Sequence, residues 1–591
     1  RDLLQWLDQG DAFRDSRGKN EWKAFVEVCK SQLAFNPQKE GVLAGATKLA
    51  EHEGPWETVW ERFCEAPKRY PNIPAQIRKC KAPNETIFWH MVDGSYGGWP
   101  QWNEDQEKNL HRDLVALNSL PPHEARNRLL EIEKQHGHRR QIVWAELGET
   151  PLAQALEFLA VLAEMAKTGL AAGNADDLTE GYRNIGWRAD DAVIRALSKV
   201  SKSNEMEAVT TAIRVVYLPW AEESARYLQK VVDGSSYPGG TIATSKQPPS
   251  TYGECVLFVD GLRFDLAKKL VELLAAEGCE VEERLTWTAL PSVTATGKAS
   301  VTPVKDKIRG EDASTDFEPC VAETGQSLKG GYHLKKLLTG DGWKILERSE
   351  NSDGQGNAWC EFGDIDHEGH DRGWKLAKYI DVLMGEIRDR VVALFSSGWK
   401  SVRVVTDHGW LLLPGGLPKI DMPSSLVENK WGRCAAIKPG ASTEERLYPW
   451  FWNRNLHFAL ADGISCFRKG EEYTHGGLSL QECLTLELTV TKGSAESTTV
   501  DVEFTDVVWK GLRCAVAVDG QFSGLSIDVR TEAGNSLSSV VVGVKPLKDN
   551  GTASVVVENE DLEGTNATVV LLDENNELVA QVATVIGGDN E

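Results

Sequence analysis

From residue 254 onward, short purely apolar runs alternate with longer stretches whose apolar residues recur every three or four positions. This alternation constrains the fold more than any other feature. Cys255–Val259 (CVLFV) is wholly apolar and too short for a helix, so it predicts a strand buried on both faces. Asp265–Glu277 follows, with Leu266, Leu270, Leu273 and Leu274 on one helical stripe. A second stripe of Leu376, Ile380, Leu383, Ile387, Val391 and Leu394 leads into Val402–Val405 (VRVV), another candidate buried strand. Strands alternating with amphipathic helices predict an α/β core with a mostly parallel sheet covered on both faces.

The flanks read differently. Residues 1–232 predict a helical scaffold region, with helical spacing in Pro151–Met165 and Asp190–Val200. Within it, the Gly- and Trp-rich stretch His90–Asn103 (HMVDGSYGGWPQWN) is expected to separate two helical subdomains. The Gly/Ser/Pro-rich stretch 233–253 reads as a linker. Beyond residue 484 the period changes to two: Val500, Val502 and Phe504 alternate with polar residues, as do Leu525, Ile527 and Val529. Turn pairs recur at Asp519-Gly520, Gly534-Asn535, Asn550-Gly551 and Asn575-Asn576. That spacing predicts a β-sandwich of roughly seven strands. The expected organisation is a helical region over 1–232, a linker over 233–253, an α/β domain over 254–483 and a β-sandwich over 484–591.

Charge and cysteine usage narrow the function classes. The formal net charge is −23, which argues against strong autonomous gripping of duplex DNA, because Lys and Arg contacts to phosphate supply most of that affinity. Residues 486–591 hold eighteen carboxylates against six cations, a balance suited to docking a partner or to solubility. The eleven cysteines include no CxxC pair, so reduced thiols in a cytoplasmic setting are expected rather than a disulfide framework or zinc ribbon. No run of eighteen apolar residues occurs, so no membrane span is expected. The start, RDLLQWLDQG, lacks both Met and a signal pattern, so a natural N-terminus further upstream is expected. The GxxxxGK[ST], GxSxG and HExxH motifs are all missing from the sequence.

The chemistry-bearing residues sit in short separated motifs. Asp260 follows the first apolar strand in VLFVDGLRFD, and Asp407 and His408 follow the second in VVTDHG. Ligands gather beyond the carboxyl ends of such strands, so these residues belong to one sheet edge. Asp366 and His370 in DIDHEGHD are four apart, which aligns them on one helical turn or in a tight loop. His475 stands in YTHGG, and Thr294 in LPSVTATGK. A mixture of carboxylate and imidazole suits Zn²⁺, Mn²⁺ or a similar ion better than Ca²⁺. Each motif alone has a plainer reading: Asp260 as a helix cap, DHG as a turn, His475 as a loop residue.

In this order the motifs resemble the alkaline phosphatase superfamily, and specifically its PglZ branch, over roughly residues 250–485. YTHGGLSLQE is especially similar to the stretch that closes this domain in PglZ proteins. The resemblance implies two divalent ions, Zn²⁺ first, with Mn²⁺ or Mg²⁺ as alternatives. One would take Asp366, His370 and His475; the other Asp260, Asp407, His408 and the Thr294 oxygen. It implies that Thr294 is the nucleophile of a phosphoric ester hydrolase, with Ser292 and Thr296 as neighbouring alternatives. It places Lys298 where it would neutralise substrate oxyanions; the plainer reading is a solvated Lys. Arg263 is expected to pair with Asp265 rather than reach the phosphate. His367 is out of phase with the D-x-x-x-H pattern and is expected to be exposed or to stand behind the ligands.

The resemblance further implies a cytoplasmic protein of a BREX-type anti-phage system, beside a DNA methyltransferase and other components. The substrate leaning is towards a phosphodiester, with nucleic acid or a nucleotide as the candidate. The alternative is an assembly protein whose metals are structural or whose activity needs its partners. Phosphotransfer to a water-excluded acceptor is a third reading.

Overall fold

The apolar run at Cys255 needs cover on both faces, and finds it in the middle of a six-stranded sheet. The computed structural model describes residues 1–82, 97–246, 250–423, 425–438, 446–493, 502–520, 522–548, 550–573 and 576–588. Its central sheet contains β1 (Glu254–Phe258), β2 (Cys279–Trp287), β3 (Trp343–Leu346), β4 (Asn357–Glu361), β5 (Ser401–Val405) and β6 (Leu484–Lys492). The spatial order is β2-β6-β5-β1-β4-β3. β1 pairs in parallel with β4 and β5, placing Phe258 opposite both Glu361 and Val405. β3 lies parallel to β4, and only β6 runs antiparallel to its neighbours β2 and β5. The expected mostly parallel sheet is therefore present, with one reversed strand.

Cys255, Val256 and Leu257 have no solvent exposure. Burial of each large apolar side chain of this kind contributes roughly 1.5–3 kcal/mol. Helix Phe264–Ala276 carries the first apolar stripe and helix Ile380–Ser396 the second from Ile380 onward, with Leu376 in the 3-10 segment before it. Their Leu266, Leu270, Leu274, Ile387, Val391 and Leu394 share a core with β1 and β5.

β6 departs from the sequence reading. Its text, LTLELTVTK, alternates like the strands beyond it and so groups with them from residue 484. It instead pairs with β2 along its whole length, from Leu484 opposite Trp287 to Lys492 opposite Cys279. Alternation records one apolar and one polar face; it does not say which sheet a strand joins.

The chain divides into two compact units. One comprises Leu110–Gly137 and Leu152–Ala495. It holds the central sheet, helices Trp187–Lys199 and Ser203–Gly234, and a four-stranded antiparallel sheet of Leu447–Trp450, Asn453–Leu460, Cys434–Ile437 and Val427–Lys430. The stretch from 233 is no free tether there: the Tyr237 hydroxyl donates to the Thr288 carbonyl at 2.9 Å, and the Ile242 amide to that of Phe451 at 3.0 Å.

The other unit comprises Arg1–Asn109, His138–Pro151 and Glu496–Glu591. Its C-terminal strands form sheets of three and four strands, giving the expected sandwich. The Trp509 indole in one sheet donates to the Thr584 hydroxyl in the other at 2.7 Å. Arg513 pairs with Glu65 at 2.7 Å, joining strands to the N-terminal helices. Of the Gly- and Trp-rich stretch, 90–96 lies outside the described residues, while Pro100–Asn103 opens the helix Pro100–Ala116. Val500 and Asn575 also lie outside the described residues. The eleven cysteines are free thiols. Among the described residues no helix is long and apolar enough to cross a membrane.

Candidate metal centre

Three adjacent strands deliver three carboxylates to one edge of the central sheet. Phe258 and Val405 are partners in register, so Asp260 and Asp407, each two residues further on, emerge side by side. β4 ends beside β1 and leads into helix Ile365–Arg372, which carries Asp366 and His370 one turn apart on the same face. Thr294 opens the helix Thr294–Ser300 after β2. His475 follows a short strand, Tyr473–Thr474, that folds back on Leu411–Leu412 just beyond His408. Because β6 is reversed, the segment feeding it approaches from that same edge.

Two glycines permit the close approach. Gly261 adopts φ +69°, and a Cβ there would stand 3.1 Å from the Asp366 Cβ. At Gly297 a Cβ would meet the Asp407 carbonyl oxygen at 2.7 Å, so only glycine lets the Thr294 helix lie against the end of β5.

The side chains form two touching groups. His408 Nε2 is 3.1 Å from Thr294 Oγ1, 3.5 Å from Asp260 Oδ1 and 3.6 Å from Asp407 Oδ2. Asp366 lies 3.3 Å from His475 Nε2 and 3.6 Å from His370 Nε2, and the two imidazole nitrogens are 3.0 Å apart. The His408 and His475 rings stack at 3.8 Å. Ligand atoms of Asp260, Asp407 and His408 fall within 4.8 Å of one another, as do those of Asp366, His408 and His475. All seven expected ligands are thus brought together, with His408 at the junction of the two groups.

The imidazoles are oriented for coordination. His408 Nδ1 is 3.0 Å from the Gly409 carbonyl, and His475 Nδ1 is 3.1 Å from that of Ser292. A carbonyl only accepts, so each Nδ1 carries the proton and each Nε2 presents a lone pair to the cluster. Burial and then the neighbouring His408 push His475 down to about 4, and burial also lowers His370. Both rings are neutral at pH 7, the form that binds a metal.

The carboxylates are held together against burial and mutual repulsion. Asp407 has no exposure, and burial followed by the Asp366 charge lifts it to about 7. Burial, then the Asp407 charge, holds Asp260 well above the usual range. Burial opposes the charge on Asp366 too, but His475, His408, His370 and the Tyr473 hydroxyl outweigh it and keep its pKa low. Among the described residues Asp260 Oδ1 and Asp407 Oδ2 are buried without any hydrogen-bond partner, although such atoms ordinarily find one. Two orphaned oxygens and a hydroxyl gathered around one imidazole nitrogen are a donor set that fits divalent cations.

The other expected residues fall as follows. Lys298 is not free in solvent: its ammonium donates to Glu361 at 2.6 Å and lies 5.1 Å from the Phe258 ring centroid. Arg263 is buried and grips Asp265 through two hydrogen bonds of 2.6 and 2.7 Å, stacked 3.8 Å from Trp410; it props the Asp260 loop from behind. His367 is exposed, 3.5 Å from Asp371. Ser292 and Thr296 are fully buried. Ser292 donates to the Gly477 carbonyl at 2.8 Å and Thr296 to that of Phe317 at 3.1 Å, which leaves Thr294 as the hydroxyl of this segment at the cluster.

Sequence reasoning missed two supports, both inside YTHGGLSLQE or pointing at it. The Tyr473 hydroxyl donates to Asp366 at 2.9 Å. Glu482, fully buried, accepts from Arg433 at 2.9 and 3.1 Å, from the Ser479 hydroxyl at 2.7 Å and from the Gly477 amide at 2.8 Å. That clamp fixes the loop after His475.

No family model and no curated protein matches the chain. Among solved structures, murine ectonucleotide pyrophosphatase/phosphodiesterase 5, and an inactive form of it in complex with AMP, each match 40% of this chain and 87% of their own. Both do so at 10% identity with a TM-score of 0.28. So slight a likeness carries no argument.

Proposed function

We propose that this chain is a metal-dependent phosphoric ester hydrolase, with Thr294 as nucleophile and two divalent ions held by Asp260, Asp366, His370, Asp407, His408 and His475. The observation that carries it is the convergence of one hydroxyl and two orphaned carboxylate oxygens on His408 Nε2, at 3.1, 3.5 and 3.6 Å. Divalent cations in this donor set supply the charge that activates a hydroxyl at neutral pH and stabilises the oxyanion at phosphorus. Thr294 Oγ1 forms the bond to phosphorus as the ester oxygen leaves; water then cleaves the phosphothreonine and regenerates the hydroxyl. The mixture of imidazole and carboxylate favours Zn²⁺ over Mn²⁺ or Mg²⁺.

A cavity of about 280 Å³ opens beside Asp260 and Lys298 and gives the leaving group room. Its three cations are each matched by a carboxylate: Lys298 by Glu361, Lys335 by Glu347 and Arg348 by Asp364. A lining so nearly neutral suits a singly charged phosphodiester better than a doubly charged monoester. The wider role rests on the motif resemblance alone: cytoplasmic work among BREX-type defence proteins, a DNA methyltransferase included, on a nucleic acid or nucleotide.

The test is hydrolysis of bis-p-nitrophenyl phosphate and p-nitrophenyl phosphate by chelated protein resupplied with Zn²⁺ or Mn²⁺. Metal-dependent turnover that prefers the diester and disappears in Thr294→Ala supports the proposal. Turnover unchanged in Thr294→Ala, or none from folded, metal-loaded protein, contradicts it.

A further inference from the structure

A second polar cavity, of about 460 Å³, lies on the face of the central sheet where β2, β6 and β5 meet. Its floor is built in register: Arg284 stands opposite Glu487, and Thr286 opposite Thr485, with Arg403 on the neighbouring strand. Among the described residues Lys246, Arg284, Lys305 and Arg403 line it against the single carboxylate of Glu487, which accepts from Arg284 at 2.6 and 3.2 Å; the lining stays positive in a chain of net charge −23.

Lys305 is the decisive residue. It is 7% exposed, and its ammonium donates to the Ser245 hydroxyl and the Lys246 carbonyl, both at 2.9 Å. Among the described residues no carboxylate lies within ion-pair distance of it, and the third of its donors is unused. Burial first, then Arg284 and Arg403 against the opposing charge of Glu487, hold its pKa below the ordinary lysine value. Arg403, 6% exposed, donates from one nitrogen to Glu254 at 3.0 Å and holds another 4.0 Å from Glu487, while its Nε is buried with no hydrogen-bond partner among the described residues. Buried charges are ordinarily paired; here a buried ammonium without a carboxylate partner and a guanidinium with one unsatisfied nitrogen belong to residues lining one cavity.

We propose that this cavity binds a phosphate-bearing anion, with Lys305, Arg403 and Arg284 on the phosphate and the Thr286 and Thr485 hydroxyls beside it. The volume accommodates a phosphate ester as large as a mononucleotide. The residues placed on the phosphate are different from the metal-centre ligands, so the inference does not rest on the hydrolase reading.

The test is isothermal titration of the chelated, desalted full chain, which leaves no metal to capture phosphate. The probes are inorganic phosphate, ribose 5-phosphate and AMP. Saturable binding is expected, weakened at least tenfold in Lys305→Gln and in Arg284→Gln. The second variant changes a half-exposed side chain and guards against loss of fold in the first. Tighter binding of either ester than of phosphate identifies a phosphorylated metabolite as the ligand, and equal affinities identify free phosphate. No binding at millimolar concentration, or binding by both folded variants equal to that of the wild type, overturns the proposal.

Discussion

Asp407→Asn is expected to stabilise the metal-free protein while removing the stabilisation that metal confers. The Asp407 carboxyl is fully buried, and one of its oxygens has no hydrogen-bond partner among the described residues. Burial and the Asp366 charge move it from 3.8 to about 7. At about 1.4 kcal/mol per tenfold, that displacement corresponds to roughly 4 kcal/mol. The unfolded chain loses this proton near pH 4, whereas the folded one keeps it to about pH 7. Stability therefore falls as pH rises between those values and is level above them. Asparagine keeps an oxygen for the Gly261 and His408 amides, now donating to Asp407 at 3.3 and 3.1 Å. Its amide group faces the His408 Nε2 lone pair, 3.6 Å from the present Oδ2. Calorimetric melting with chelator should place the variant several degrees above the wild type at pH 8, the gap closing towards pH 4. With Zn²⁺ at about one hundred times its Kd the wild type should gain roughly 2.7 kcal/mol, and the variant far less. A metal-free variant less stable than the wild type at pH 8, or an equal response to Zn²⁺, refutes the reasoning.

Gly297→Ala should lower turnover at least tenfold with the circular dichroism spectrum unchanged, since the new Cβ forces the Thr294 helix off the Asp407 backbone. Tyr473→Phe removes the hydrogen bond that orients Asp366; competition with a chromophoric chelator should show metal affinity down about 10- to 100-fold. Glu482→Ala strands the buried Arg433, so thermal or denaturant unfolding should report a loss of about 3–5 kcal/mol.

The parts of the fold legible in sequence are those governed by local pattern. Val256 stands in a run too short and too apolar for anything but an interior strand, Val404 in a short β-branched run broken by Arg403, and Asp260 and Asp407 inherit their proximity from those strand ends. β6 was not legible, because Leu484, Leu486 and Leu488 offer one apolar face to either of two sheets. Within the site, the helical spacing of Asp366 and His370 is written locally. The meeting of His370 with His475, 105 residues away, depends on Tyr473 returning to Leu412; no periodicity encodes that return, and only the motif resemblance anticipated it. The pairing of Lys298 with Glu361 depends on the β1–β4 register, so a solvated lysine was the natural reading of the sequence. Lys305 and Arg403 carry no motif, and their shared cavity is visible only once β2, β6 and β5 lie side by side.

The central claim is that Thr294 takes the phosphoryl group. The most direct measurement is acid quenching of metal-loaded protein during turnover of bis-p-nitrophenyl phosphate, followed by mass spectrometry of the peptide spanning Leu290–Lys298. A phosphoryl-ester adduct on Thr294 is expected to form within the first turnover and to be lost once substrate is exhausted. Turnover with that peptide unmodified at every time point, and undiminished in Thr294→Ala, contradicts it.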